Sequence, residues 1–382
     1  MKEIKIGTVF SGIGSPEQAL LRLGVPHKVL FACDNGDRII NIDSQSEMNL
    51  VKSLKTPREK RDYVAFLYHT RSRQTNYVQQ SYLANYTIED DNFYQDVMLL
   101  DGTDYTDSID LFVGGSPCQS FSIAGARGGF EDTRGTLFFE YCRLVKEIRP
   151  EVFIYENVYG VLTHDKGRTW GTMKNVFSDL GYHYKFDILD ARDFGIPQGR
   201  RRLFVVGFKC KDAYERFSFP DKIKLESCPL PTLQSMLEEN MAIGSMQSVN
   251  GVLQRINDEK GEPEERYYLS QKLVDYVLAP GTKNFMHYDA KTDLPIARAI
   301  VKNIGNTYRA SVNNYVHTFT EKGKGRLRHL TMREVHRLMG YPDSYKIVVS
   351  KAQAYKQAGN SIVVDVMMNI EKQIIKAQGW DN

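Results

Sequence analysis

The sequence predicts an α/β protein built on a doubly wound, mostly parallel sheet, with a smaller irregular domain attached. Three observations carry this. Up to about residue 208, short apolar runs alternate with stretches of helical periodicity, as in a sheet covered on both faces. From 209 to 325 that rhythm stops, and Gly, Pro, Asn and aromatic residues are scattered without βαβ order. From 326 to 382 the helical signal returns.

Within the first part, strands are expected at 4–10, 28–33, 109–114, 152–155, 184–189 and 203–208, and helices at 15–23, 136–148 and 169–180. Residues 41–100 interrupt the alternation. They are polar and helix-prone, carry Lys52, Lys55, Arg58, Lys60, Arg61, Arg71 and Arg73, and read as an insertion between the second and third strands. A solvated decoration is the simpler reading of that charge, and a DNA-contacting arm the alternative. Near the end, Thr331 can cap a helix over 332–339, and 361–377 is amphipathic. These last helices are expected to pack back on the first domain.

Bulk composition narrows the class. The chain of 382 residues is 42% hydrophobic and 25% charged, with a net charge of only +3, so phosphate binding must come from local basic patches. Five cysteines, at 33, 118, 142, 210 and 228, contain no CxxC pair. Neither a disulfide framework nor a metal site is expected, and a reducing compartment is. The start, MKEIKIGTVFSG, shows no signal-peptide pattern, and no run of eighteen apolar residues occurs. A cytoplasmic protein without membrane association is the expectation.

The strand ends carry the chemistry. The first runs into Phe10-Ser11-Gly12-Ile13-Gly14-Ser15-Pro16, where glycines let the backbone approach a ligand at a helix N-terminus. Glu17 breaks the dinucleotide pattern GxGxxG, which speaks against a nicotinamide enzyme. The second ends at Asp34, whose carboxylate suits a ribose; Asp101 or Asp104 precedes the next and suits an adenine amino group. In a doubly wound sheet these ends share one crevice, so an adenosine-type cofactor is expected. Then comes Gly114-Gly115-Ser116-Pro117-Cys118-Gln119-Ser120-Phe121-Ser122, opening a Gly- and Ser-rich loop. A cysteine in such a place is a nucleophile candidate, and Glu156, at the end of the following strand, a proton donor or acceptor beside it. In Gln198-Gly199-Arg200-Arg201-Arg202, alternation along a strand would turn Gln198, Arg200 and Arg202 to one face.

Together these segments resemble the C5-cytosine DNA methyltransferase family, of the bacterial or phage modification type. The matching elements are FSGIGS (10–15), GGSPCQSFS (114–122), EDTRGTLFFE (131–140), ENV (156–158), QGRRR (198–202), RLRHLTMREVHRLMGYP (326–342) and QAGNSIVV (357–364). They stand in that family's order, with a variable stretch between the fifth and sixth, and span nearly the whole chain.

The resemblance implies an S-adenosylmethionine-dependent methyltransferase fold with catalytic domain 1–208, target recognition domain 209–325 and C-terminal helices 326–382. It implies S-adenosylmethionine as methyl donor, S-adenosylhomocysteine as product and no metal. The donor would be lined by Phe10, Gly12, Gly14, Asp34, Asn35, Asp104, Pro117, Leu137, Asn360 and Ser361. Asn35 stands where an aromatic residue is frequent, and Asp104 is preferred over Asp101 because Thr-Asp-Tyr-Thr resembles the family's Gly-Asp-Ile-Thr. Cys118 would attack carbon 6 of a flipped cytosine, Glu156 would address its N3, Arg200 would hold its O2 or orient the Cys118–Glu156 pair, and Arg202 would support the loop of Cys118. Gln119, Ser122, Arg134 and Gln198 would meet double-stranded DNA.

A monomer is expected, associated with the nucleoid, with a cognate restriction endonuclease acting on the same site as the partner the modification type implies. The alternative on the same scaffold is a cytosine methyltransferase acting on tRNA. Intact Cys118, Glu156, Arg200 and Arg202 speak against an inactive binding module.

Overall fold

The computed structural model describes residues 1–116, 137–222, 231–279, 290–304 and 308–381. Its frame is a sheet of seven strands among the described residues: β1 (Ile4–Val9), β2 (His27–Cys33), β3 (Phe93–Tyr94), β4 (Leu111–Gly114), β5 (Val152–Val158), β6 (His183–Asp190) and, after the two-residue β7 (Gln198–Gly199), β8 (Arg201–Phe208). The spatial order is β3-β2-β1-β4-β5-β8-β6. All neighbours from β3 to β5 are parallel, and β8 runs antiparallel to both β5 and β6. This is the mostly parallel sheet the alternation predicts.

Period-two side-chain alternation divides the core. Val152 and Ile154 of β5 enter one apolar cluster with α1 (Ser15–Leu23), while Phe153 and Tyr155 enter another under the opposite face. Between β2 and β3 lie α2 (Ser44–Ser53), α3 (Pro57–Arg71) and α4 (Tyr77–Leu83). Asp43, Thr56 and Asn76 cap them; Thr56 and Glu59 form a reciprocal capping box, and Pro57 sits where its missing N–H costs nothing. The stretch 41–100, expected as an insertion between the second and third strands, therefore contains β3, a strand the sequence does not reveal, since two residues show no periodicity.

Much of the insertion's charge is spent internally. Lys60 is buried and bridges Asp101 and Asp104 at 2.7 and 2.6 Å, Lys52 pairs with Glu147, and Arg61 with Asp62.

The second face is covered by α5 (Leu137–Ile148) and α6 (Arg168–Ser178). After β8 and the short α7 (Lys211–Arg216), the chain forms the hairpin of β9 (Met246–Val249) and β10 (Val252–Arg255), then α8 (Gln271–Leu278), β11 (Ala297–Arg298), β12 (Tyr315–His317) and β13 (Leu327–His329). This irregular part has a small core of its own around Leu269, Val277, Ala310, Tyr315 and Leu327. Leu233, Met236, Leu237, Met241 and Ile300 instead join the large cluster on the α1 face. Its folding is thus coupled to the sheet.

Three helices close the chain: α9 (Met332–Arg337), α10 (Lys351–Asn360) and α11 (Val364–Gln378). Thr331 caps α9 in a box with Glu334, which also pairs with the fully buried Arg328 at 2.8 Å. Arg337, equally buried, meets Asp343 at 2.6 Å. The basic stretch from 326 therefore holds the interior together. Helix α11 packs on α1, locked by Arg22, whose two terminal nitrogens reach Asp365 at 2.7 and 2.8 Å. The backbone N–H of Lys2 donates to the carbonyl of Trp380. Among the described residues, no helix is long and apolar enough to cross a membrane.

Candidate active site

Side chains and turns from separate parts of the chain converge at the carboxyl edge of the parallel strands, where a ligand crevice is expected in this architecture. Between β1 and α1, Phe10, Gly12 and Gly14 all take positive φ, at 53, 54 and 75°. At Gly14 only glycine is tolerated: a Cβ would lie 2.2 Å from the ring of Tyr86. The Ser11 N–H donates to the carbonyl of Cys33, and Ser11 Oγ accepts from the Cys33 N–H, tying this turn to the end of β2.

A cleft, partly open to solvent, is lined by Phe10, Ser11 and Gly12 of this turn together with Gly114, Gly115, Glu156, Asn360, Ser361 and Ile362, whereas Gly14, expected there from the sequence, packs against Tyr86 and is not part of the lining. Phe10, Gly12, Asn360 and Ser361 are expected lining residues that the fold brings together. Ser361 reaches Ser15 Oγ at 2.6 Å and Tyr341 Oη at 3.1 Å, so the C-terminal segment is pinned to the start of α1.

Asp34 extends the site from Gly12. One carboxylate oxygen accepts the Gly12 N–H at 3.0 Å, the other the Gly36 N–H at 2.8 Å. Burial pushes its pKa up, and these two bonds oppose the shift. Asn35 accepts the Asp37 N–H and donates to the Arg38 carbonyl, so its side chain shapes the loop.

Asp104 is placed otherwise than the sequence led us to expect. It and Asp101 are both bonded to Lys60 on α3, and neither lines the cleft. The acid at the end of β3 is Asp96. Its neighbour Tyr94 accepts the Asp34 N–H at 3.1 Å, so Asp34 and Asp96 stand at adjacent strand ends. Asp96 accepts the Met98 N–H at 2.9 Å and the Tyr68 hydroxyl at 2.9 Å, and burial raises its pKa. The alternation rule would have found it had β3 been visible.

Glu156, near the end of β5, faces the cleft opposite Gly115, where a Cβ would come within 2.8 Å of its carboxylate. Arg202 Nε lies 3.1 Å from Glu156 Oε1. Burial raises the pKa of Glu156, with Arg202 and then Arg200 pulling it back. On the same strand Asn157 donates to the Tyr155 hydroxyl and to the carbonyl of Ser116, whose own hydroxyl lies 2.6 Å from that of Tyr155. The chain entering the Pro-Cys-Gln segment is thereby fastened to the strand that carries Glu156.

Two expectations about the basic run are corrected. Gln198 is fully buried: its amide donates to the Leu338 carbonyl and its oxygen accepts the Ile300 N–H, leaving nothing for DNA. Arg200 is buried too, and donates to the carbonyls of Ile300, Gly359 and Ser361. Gln198 belongs to β7, which pairs with β11, while Arg202 belongs to β8; the alternation is broken between them. Leu137 begins α5 and packs against the cluster that Phe10 also touches, without lining the cleft. Pro117, Cys118, Gln119, Ser122 and Arg134 lie outside the described residues.

Residues 65–376 match the family model described as C-5 cytosine-specific DNA methylase. The type II methyltransferase M.HpaII of Haemophilus parainfluenzae is 36% identical over 317 residues, 79% of this chain and 81% of that protein. M.HhaI of Haemophilus parahaemolyticus is 33% identical over 276 residues, 69% and 75% of the two chains. Among solved structures, the S. pombe Dnmt2 methyltransferase superposes with a TM-score of 0.62 at 16% identity, covering 98% of this chain and 99% of that one. A modification methyltransferase encoded within an E. coli prophage gives 0.58 at 18%, over 99% and 100%. The two structures share the fold; the family model and the two close relatives show that the chain belongs to the C-5 cytosine-specific DNA methylases.

Proposed function

We propose that the protein methylates a flipped-out cytosine within a specific double-stranded DNA sequence, through a covalent bond between Cys118 and carbon 6 of the base. The family supplies the coarser statement: it is a DNA (cytosine-5-)-methyltransferase that uses S-adenosylmethionine. When bound, that cofactor supplies a sulfonium methyl group open to attack by carbon. The residues present fit it. The Asp34 carboxylate is held by backbone N–H groups and retains lone pairs for ribose hydroxyls, Asp96 stands one strand further for the adenine amine, and the cleft lined from Phe10 to Ser361 lies beside Gly12 for the amino-acid half.

Carbon 5 of cytosine is a poor nucleophile while the ring is aromatic. Addition of the Cys118 thiolate to carbon 6 breaks that aromaticity and moves an electron pair toward N3, where Glu156 delivers a proton. Carbon 5, now an enamine carbon, would take the methyl group as its bond to the sulfonium sulfur breaks and S-adenosylhomocysteine leaves. Loss of the carbon 5 proton to a base, of the thiolate from carbon 6 and of the N3 proton back to Glu156 restores the ring. The single observation that carries this reading is the pairing of a carboxyl with a raised pKa, Glu156, with a fastened approach to the Pro-Cys-Gln segment at the edge of the cleft. None of these atoms can be reached inside a stacked duplex, so the base must leave the helix. Residues 209–325 are assigned to reading the target and 1–208 with 326–382 to catalysis; a restriction endonuclease recognising the same site is the natural partner of a modification enzyme.

The test is a duplex carrying 5-fluorocytosine at the target, identified beforehand by bisulfite sequencing of a host that expresses the enzyme. Fluorine cannot leave as a proton does, so a denaturation-resistant protein–DNA adduct should accumulate with the native enzyme and be absent with Cys118→Ser. An adduct that persists in the Ser variant overturns the role of Cys118. Preferential methylation of tRNA over duplex DNA would instead favour the RNA alternative.

A further inference from the structure

The insertion between β2 and β3 does more than decorate the surface. It is built into the adenosine end of the cleft. Tyr68 of α3 is 2% exposed, and its hydroxyl donates to Asp96 Oδ2 at 2.9 Å. The guanidinium of Arg38, in the loop after Asp34, lies 4.6 Å from the centre of the Tyr68 ring. That guanidinium also bonds Gln95 and donates from Nε to the Asn35 carbonyl. Asn76, which caps α4, donates to the carbonyl of Asp34 at 2.8 Å and to Gln95 at 3.0 Å. Gln95 in turn donates to Gln79 at 2.9 Å. Gly36, at φ 65°, has Asn76 so close that a Cβ would meet its side-chain oxygen at 2.4 Å. This mostly buried polar network therefore joins α3 and α4 to both strand-end acids.

We propose that the insertion is part of the methyl-donor site, with Tyr68 positioning Asp96 for the exocyclic amine of adenine and Asn76 holding the loop of Asp34. The proposal deepens the functional reading and rests on its assignment of the adenosine end to Asp34 and Asp96. Asp96 has two oxygens and accepts one bond on each, from Met98 N–H and from Tyr68. Lone pairs remain on both, and the two bonds fix the plane in which they point. Burial and the neighbouring Asp96 both push the Tyr68 pKa up, so the hydroxyl keeps its proton and acts as donor across the working pH range. The alternative use of the insertion as a DNA-contacting arm is disfavoured by its internal pairing: Lys52, Lys60 and Arg61 are all engaged with carboxylates of the same chain. Tyr68 is a positioning residue, since it acts through Asp96.

The experiment measures binding of S-adenosylhomocysteine, and of its 6-deamino purine analogue, by calorimetry on the full-length protein. Tyr68→Phe, Asp96→Asn, the double variant and Asp34→Ala are compared with the native chain, each checked for folding by thermal denaturation. Tyr68→Phe should weaken S-adenosylhomocysteine about five- to tenfold, the scale of one ordinary hydrogen bond, and leave the deamino analogue nearly unchanged. It should add little in the Asp96→Asn background. Equal weakening of both ligands would overturn the positioning role, because general loosening of the pocket does not distinguish them. No effect of Tyr68→Phe while Asp34→Ala weakens binding would overturn the proposal and leave the functional reading standing. No effect of Asp34→Ala or Asp96→Asn would remove the adenosine assignment itself, and the proposal with it.

Discussion

Glu156 sits between two opposing influences. Burial favours its neutral form, and the guanidinium of Arg202, 3.1 Å away, favours the charged one. Burial is the larger, so the carboxyl holds its proton to higher pH than an ordinary glutamate, as donation to N3 of cytosine requires. The sign of the pH dependence follows. In the proposed mechanism the protonated form is the active one, so turnover should fall as pH rises through the pKa of Glu156, while the thiolate that mechanism requires at Cys118 sets the acid side. Removing the cation with Arg202→Met lets Glu156 keep its proton longer, so the alkaline limb of the single-turnover rate should move to higher pH. Glu156→Gln should abolish that limb and slow methylation about 10²- to 10⁴-fold, the usual contribution of a positioned acid. An alkaline limb that survives Glu156→Gln would assign the titration to another group.

Among the elements, the contact of α1 with α11 carries an internal conflict. Glu17 and Glu371 are both fully buried there; burial raises the pKa of each, and the charge of Glu17 raises that of Glu371 further. Glu17 accepts from Tyr82 and Thr8 through one oxygen; Glu371 has neither oxygen bonded. Its folded pKa lies well above the unfolded value, chiefly through desolvation. A carboxyl raised in this way contributes stability that is complete below its unfolded pKa of about 4.3 and is lost as pH rises toward the folded value. Glu371→Met should therefore stabilise the protein at neutral pH by about 1–3 kcal/mol, the cost of a buried unsatisfied polar group, and the gain should narrow as pH falls toward 4. Urea denaturation at several pH values reads this directly, and a Met variant no more stable at pH 7 would show that Glu371 has a partner. Amphipathic periodicity makes α1 and α11 legible in the sequence, because one apolar face repeats over several turns. It cannot show that Glu371 points inward, which depends on where α1 lies. Strand β3 fails for the opposite reason: two residues carry no period, and the acid after it, Asp96, passed unnoticed while Asp104, in a more familiar-looking tetrapeptide, was preferred.

For the whole molecule, the junction of its three segments falls on one side chain. Arg200, entering β8, sends its terminal nitrogens to Ile300 in the irregular region and to Gly359 and Ser361 before α11. The motif Gln-Gly-Arg-Arg-Arg was legible as functional, yet the direction of its side chains was not, since it is set by residues about a hundred and about a hundred and sixty positions away. The planar guanidinium spans three carbonyls that a lysine ammonium on a flexible stem cannot hold at once. Arg200→Lys should thus retain the charge and still lower stability, by about 2–3 kcal/mol for buried acceptors left unpaired. Because Ser361 lines the cleft and is tied to Ser15 and Tyr341, the same change should also weaken S-adenosylhomocysteine severalfold, although Arg200 itself does not line the cleft. Denaturant titration and calorimetry on one preparation separate the two effects. A loss of stability without any loss of ligand affinity would mean that the C-terminal wall of the cleft is held by Ser15 and Tyr341 alone, and that Arg200 joins the segments without shaping the site.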